Sequence, residues 1–149
     1  MTDEDYMRQA LDQARRAADA GEVPVGAVIV AGGQIIARAH NLCERLRDFT
    51  AHAEMQAFTA ASEYLGGKFL DQCTLYVTLE PCPMCAGAAY WTRVGRIVYG
   101  ARDDKRGGLS FHGKRREGLL HPKTELVGGV LEAECAELLT TFFRSRRKN

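Results

Sequence analysis

No apolar run in the chain approaches the ~20 residues a helix needs to cross a bilayer, which excludes a helical membrane span. The opening residues, Met1-Thr2-Asp3-Glu4-Asp5, lack the basic-then-apolar order of a secretory signal, so a cytoplasmic protein is expected. Proline is scarce, at 4 residues, and no Pro/Gly/Ser-rich tract, repeat or low-complexity block divides the 149 residues. That leaves one domain over residues 1–149. An excess of either charge is also missing. A net charge of +1 argues neither for nor against a polyanionic partner. The 5 cysteines are too few and too odd in number for a disulfide framework. A chain of this length, able to bury roughly two thirds of its unfolded surface, needs none.

Two of those cysteines carry the chemistry. His52-Ala53-Glu54 is followed, after about thirty residues, by Pro81-Cys82-Pro83-Met84-Cys85. One imidazole and two thiolates form a three-ligand zinc set whose fourth tetrahedral position stays open for a reactive water, which argues for hydrolysis. Glu54 is the non-ligating acid beside them. It lies two residues from His52, about 200° around an ideal helix, so both reach one site only if His52 stands in an irregular first turn. Cys43, Cys73 and Cys135 are scattered singly and read as packing residues.

Periodicity places these motifs. Met7, Ala10, Leu11, Ala14, Ala17 and Ala18 predict a helix from about Asp3 to Ala20, capped by Thr2 and ended by Gly21. Two β-branched runs, Val23–Val30 and Ile35–Ala39, flank Ala31-Gly32-Gly33 and predict a hairpin. A helix follows Thr50 and stops at Gly66-Gly67. Thr74–Thr78 predicts a strand, a helix opens at Pro81-Cys82-Pro83, and Arg96–Gly100 predicts another strand. A polar stretch from Arg102 to Lys123 leads to a last helix from about Glu132 to Phe143, with a charged tail behind it. Strands alternating with helices in one short chain predict an α/β fold: a three-layer α/β/α domain with a mixed sheet. Both metal segments then fall at helix N-termini, where the partial positive charge favours thiolates. Basic residues cluster late, at Arg102, Lys105 and Arg106, at Lys114, Arg115 and Arg116, and at Arg144, Arg146, Arg147 and Lys148.

Taken alone, the C-x-x-C fits a structural zinc knuckle, with His40, His112 or His121 as a fourth ligand, or a redox pair. Together with His52 and Glu54 it matches the H-x-E and P-C-x-x-C signature of zinc nucleobase deaminases. The chain resembles the bacterial tRNA-specific adenosine deaminases, within the cytidine deaminase-like superfamily, from Tyr6 to about Arg147. The phrases that carry the likeness are Gly21-Glu22-Val23-Pro24-Val25-Gly26-Ala27, His40-Asn41, Thr50-Ala51-His52-Ala53-Glu54, Thr78–Ala88, Tyr99-Gly100-Ala101-Arg102-Asp103 and Phe142-Phe143-Arg144.

That resemblance implies a cytidine deaminase-like fold with a central five-stranded mixed sheet, one zinc ion (Zn2+) per chain on His52, Cys82 and Cys85, and a homodimer. It implies that Glu54 shuttles protons while water replaces the C6 amino group of adenosine, giving inosine at the wobble position of a tRNA anticodon. It also implies substrate contacts from Asn41, the Ala53 N–H, Val25, Gly26 and Asp103. The end of the last helix, with Phe142, Phe143, Arg144, Arg146 and Arg147, would contact the anticodon stem-loop. Trp91, the only tryptophan, reads as a dimer anchor or a core plug. Pro83 is shared with guanine deaminases, so a free-base or nucleoside deaminase acting on guanine, cytosine or cytidine remains the alternative. A catalytically silent zinc-containing RNA-binding protein is a further one.

Overall fold

The computed structural model describes residues 1–111, 114–115 and 118–147. His112, Arg116 and Lys148 lie outside the described residues. Helix α1 (Asp3–Asp19) buries Tyr6, Met7, Ala10, Leu11, Ala14 and Ala17 on one stripe. Thr2 starts it with a capping box: its hydroxyl accepts the Asp5 N–H at 3.2 Å and Asp5 accepts the Thr2 N–H at 2.9 Å. Strands β1 (Gly26–Ala31) and β2 (Gln34–His40) form the expected hairpin. Gly32 and Gly33 turn it at φ 57 and 77, the left-handed pair that a tight two-residue turn requires. The first strand begins at Gly26, three residues later than its β-branched run.

Helix α2 (Cys43–Leu46) is a single turn with no periodicity to announce it. It exists because buried Glu22 accepts the Glu44 and Arg45 N–H groups at 2.9 and 2.8 Å. Helix α3 (Ala53–Leu65), strand β3 (Cys73–Leu79), helix α4 (Pro83–Thr92) and strand β4 (Arg96–Ala101) follow as expected. The polar stretch holds a two-residue ribbon of β5 (Ser110–Phe111) and β6 (Lys114–Arg115). Strand β7 (Glu125–Val127) precedes helix α5 (Glu132–Arg147), which continues through the arginines read from sequence as a tail.

The sheet runs β2-β1-β3-β4-β7. Pairing is antiparallel from β2 to β3 and parallel from β3 to β7, so it is a five-stranded mixed sheet. Alternation sends Ala27, Ile29, Leu75, Val77 and Ile97 to one face, against Ala53, Ala57, Phe58 and Ala61 of α3 and Ala89 of α4. Val28, Val30, Tyr76 and Val98 face the other way, against α1 and Cys135 of α5. These are the three expected layers, with both sheet faces buried. Strands β2, β3 and β4 all point their C-terminal ends to one edge. Asn41, Pro81-Cys82 and Arg102-Asp103 therefore emerge together, at the edge where open α/β sheets bind ligands. Among the described residues, no helix is long and apolar enough to cross a membrane.

One ion pair ties α1 to the sheet. Arg96 donates to both Asp3 oxygens at 2.8 and 2.7 Å, and Tyr76 donates to Asp3 at 2.7 Å. The Arg96 guanidinium holds the Asp3 carboxyl below the usual carboxylate range. Because that pKa is depressed, the pair's stabilisation is complete above the unfolded value of about 4 and is lost as pH falls through the folded value. Asp3→Asn is expected to cost about 1 kcal/mol at neutral pH, discounted for partial exposure, and progressively less as pH falls through the folded Asp3 value. Urea melts of both proteins across the acid range check this, with a gap between them that narrows as pH falls.

Candidate active site

Two helix starts meet at this edge. His52 is the N-cap of α3, with extended backbone at φ −72 and ψ 154, and its side chain makes no capping bond. It stands outside the regular helix, which removes the period conflict with Glu54. Cys82 is likewise the N-cap of α4, extended at φ −71 and ψ 171, and Pro83 follows in the first turn, where no N–H is missed. Cys85 lies one turn on and is buried. His52 Nδ1 lies 3.6 Å from Cys82 Sγ and 3.5 Å from Cys85 Sγ. All three donor atoms fall within 4.8 Å of one another, and among the described residues no fourth His, Cys, Asp or Glu joins them. His40 Nδ1 faces the Asn41 carbonyl and His121 Nδ1 accepts from Lys123 N, so neither completes a structural site.

The donor set fits zinc. Nitrogen and sulfur ligands of one tetrahedral zinc ion, at bond lengths of about 2.05 and 2.3 Å, stand roughly 3.6 Å apart. That matches the separations found here. A hydrogen bond from the Cys85 thiol, aided by the His52 ring, pulls the Cys82 thiol down to about 4. The Cys82 thiolate in turn raises both the His52 and the Cys85 pKa. The low Cys82 pKa makes it the donor readiest to meet a metal ion as thiolate, and uptake by such a set releases the remaining thiol proton.

Glu54 is buried beside these donors, at 4% exposure. Burial pushes its carboxyl up to about 7. An acid kept near neutrality in a dry site is poised to take and return protons.

A surrounding layer fixes the two helix starts, and sequence spacing gave no sign of most of it. Asn41 Oδ1 accepts the Ala53 N–H at 2.9 Å, doing the capping that His52 does not, while its amide donates to Val23 O at 3.1 Å. The structure thus joins two of the expected substrate contacts to each other. Gln56 Nε2 reaches back to the carbonyls of His40, Ala51 and His52 at 2.9, 3.1 and 3.4 Å. The Phe49 carbonyl also accepts from the His52 ring, the outer support that orients a ligating imidazole. Buried Glu80 accepts Asp103 N at 3.3 Å and Leu109 N at 3.2 Å. Gly108 N donates to Pro81 O at 2.6 Å, docking the loop after β4 against the Cys82 segment.

The remaining expected site residues take different places. Val25 packs into the α3 side of the core. Gly26 faces α1, where a Cβ would run into the Ala10 carbonyl and the Ala14 amide, so close helix packing is what requires glycine there. Asp103 closes its own turn by accepting Lys105 and Arg106 N–H at 3.2 and 2.9 Å. On α5, Phe142 is half-buried, edge-on to Phe143 at 5.5 Å. Arg146 covers the Phe142 ring at 4.9 Å and donates to Gly21 O at 3.1 Å. Phe143 is 45% exposed. It lines both a groove containing Glu22, Val23 and Asn41 and another containing Arg102, Asp103 and Arg106. Arg144 and Arg147 project to solvent.

The sheet edge, the three-donor cluster and the buried acid define a hydrolytic deaminase, and the comparisons agree. The family model for MafB19-like deaminases matches residues 1–147. The tRNA-specific adenosine deaminase of Bacillus subtilis (strain 168) is 50% identical over 98% of this chain and 91% of its own length. That of Aquifex aeolicus (strain VF5) is 45% identical, over 100% and 99%. The chain belongs to the tRNA-specific adenosine deaminase family. A solved structure from a study of A-to-I editing by tRNA:A34 deaminases superimposes with TM-score 0.83 at 41% identity, covering 91% of this chain and 99% of that one. Guanine deaminase from Nitrosomonas europaea shares the fold at TM-score 0.81 and 27% identity, over 93% and 83%.

Proposed function

We propose that this deaminase converts adenosine to inosine at the wobble position of a tRNA anticodon, as a single zinc-dependent domain over residues 1–149, acting as a cytoplasmic homodimer. The observation that carries the reading is Glu54, buried beside His52, Cys82 and Cys85 at an edge rimmed by basic and aromatic side chains. One zinc ion per chain on those three residues would supply Lewis acidity, making water a competent nucleophile near neutral pH.

The chain's own groups do the rest. Glu54 accepts a proton from the attacking water and delivers it to the adenine ring nitrogen. It then carries the next proton to the departing amino group, so that adenosine and water become inosine and ammonia. Asn41 keeps a second amide hydrogen for the base, beside the Ala53 backbone it fastens. The Val25-Gly26 backbone and Asp103 border the nucleotide. Phe143, Arg144 and Arg147 meet the anticodon loop by stacking and phosphate contact, with Phe142 and Arg146 bracing them from within the fold. The test is nucleoside analysis of a stem-loop bearing wobble adenosine after incubation with the zinc-loaded protein. Inosine is expected. A loop recovered unchanged contradicts the reading.

The homodimer has its own support. Trp91 is 77% exposed and Phe69 48%, and both line a cleft with Met55, Phe58 and Ala88 between α3 and α4. An apolar patch of this kind is covered by a partner more often than left in water, and we propose a second copy. Trp91→Glu is expected to shift the sedimenting species from dimer to monomer.

A further inference from the structure

We propose that Phe49 is a stacking platform for an unpaired base next to the target adenosine, with Arg45 and Arg47 receiving the adjoining phosphates; this rests on the RNA reading above. Phe49 is 93% exposed, the most exposed large apolar side chain among the described residues. Exposure alone is ordinary, but the backbone that presents this ring is held in place. The loop that carries it is closed by Leu42 N to Ala51 O at 3.0 Å and by Asp48 N to Cys43 O at 3.0 Å. Asp48 accepts both the N–H and the hydroxyl of Thr50, at 2.8 and 2.7 Å. Glu22, itself 1% exposed, pins the start of the same loop through Glu44 and Arg45 N–H. Buried Glu22 and an Asx turn thus fix the backbone from which an aromatic side chain projects into water.

Its position supplies the reason. The Phe49 carbonyl supports the His52 ring, which places this loop's backbone beside the site, three residues before a metal donor. Arg45 and Arg47 precede it in the same loop, both exposed and neither ion-paired among the described residues. Arg47 also holds φ 53, a left-handed conformation unfavourable for a non-glycine residue. A free aromatic face with two unpaired arginines in the preceding turn of the same loop fits single-stranded RNA, where bases stack and phosphates are neutralised. Of the other arginines at the site, Arg146 is engaged within the fold, which leaves this loop as a separate source of free cations.

The experiment compares wild type, Phe49→Ala, Phe49→Trp and Arg45→Ala/Arg47→Ala on the wobble-adenosine stem-loop. Phe49→Ala is expected to raise KM roughly 5- to 100-fold, the range for loss of one base stack, and to affect KM more than kcat. Phe49→Trp is expected to restore the wild-type KM, and the double arginine variant to raise KM and weaken its salt dependence. With 2-aminopurine replacing each neighbour of the wobble base in turn, one position is expected to be quenched by wild type and not by Phe49→Ala. Metal content is the control for His52, because the carbonyl remains. Wild-type KM and quenching in Phe49→Ala overturn the proposal, as does a smaller sedimenting mass, which would assign Phe49 to a subunit contact. If wild type itself leaves the stem-loop unchanged, the RNA reading fails and the platform with it. An active wild type matched by Phe49→Ala refutes the platform alone.

Discussion

Glu54→Ala is expected to lower kcat on the stem-loop by roughly 10²- to 10⁴-fold while leaving metal content at the wild-type level. Glu54 stands outside the three-donor cluster, so its loss removes no ligand. What it removes is the acid whose burial lifts its pKa to about 7, the range in which one carboxyl can both accept and return a proton. Glu54→Gln separates chemistry from packing. It keeps the volume in a site where the side chain is almost fully enclosed, but offers no proton acceptor of comparable basicity. Both variants are expected to be equally slow, by single-turnover assay, and equally zinc-loaded. Undiminished turnover in either would remove Glu54 from the mechanism and reopen the catalytically silent alternative.

Cys85→Ala is expected to abolish both metal binding and turnover. Cys85 has 1% exposure and cannot be replaced by a neighbouring donor, because no fourth His, Cys, Asp or Glu joins the cluster among the described residues. The loss also reaches stability. A metal present at a thousand times its Kd stabilises the fold by about 4 kcal/mol, which for a domain of this size corresponds to about 10 °C in Tm. Chelation of wild type should therefore lower Tm by that order, and Cys85→Ala should melt near the chelated value and ignore added zinc. Stoichiometric zinc by mass spectrometry in Cys85→Ala would contradict the assigned ligand set.

The chemistry was legible in the sequence because it is written in short-range spacing. His52 two residues from Glu54, and Cys82 three from Cys85, constrain local geometry whatever the rest of the chain does. The awkward angle between His52 and Glu54 was itself informative, since it required His52 to leave the helix, and the structure makes it the N-cap. The three layers were legible from alternation and helical period. Strand β7 was not, because Glu125-Leu126-Val127 is too short to show a period, and only the family likeness implied a fifth strand. Helix α2 depends on Glu22, some twenty residues away in sequence. Gln56 and Glu80 escaped for the same reason, since their partners are backbone groups that only the fold brings near. The end of α5 was read short because apolar period stops at Phe143, yet exposed arginines are good helix formers and the helix runs on to Arg147.

The choice of base remains the central claim, since the same fold serves guanine deaminase at 27% identity. The most direct measurement is the rate of ammonia release by one zinc-loaded preparation given, in parallel, the wobble-adenosine stem-loop, free guanine, cytosine and cytidine. Turnover of the stem-loop with none of the three small substrates consumed is the predicted result. An untouched stem-loop alongside turnover of guanine, cytosine or cytidine would contradict it.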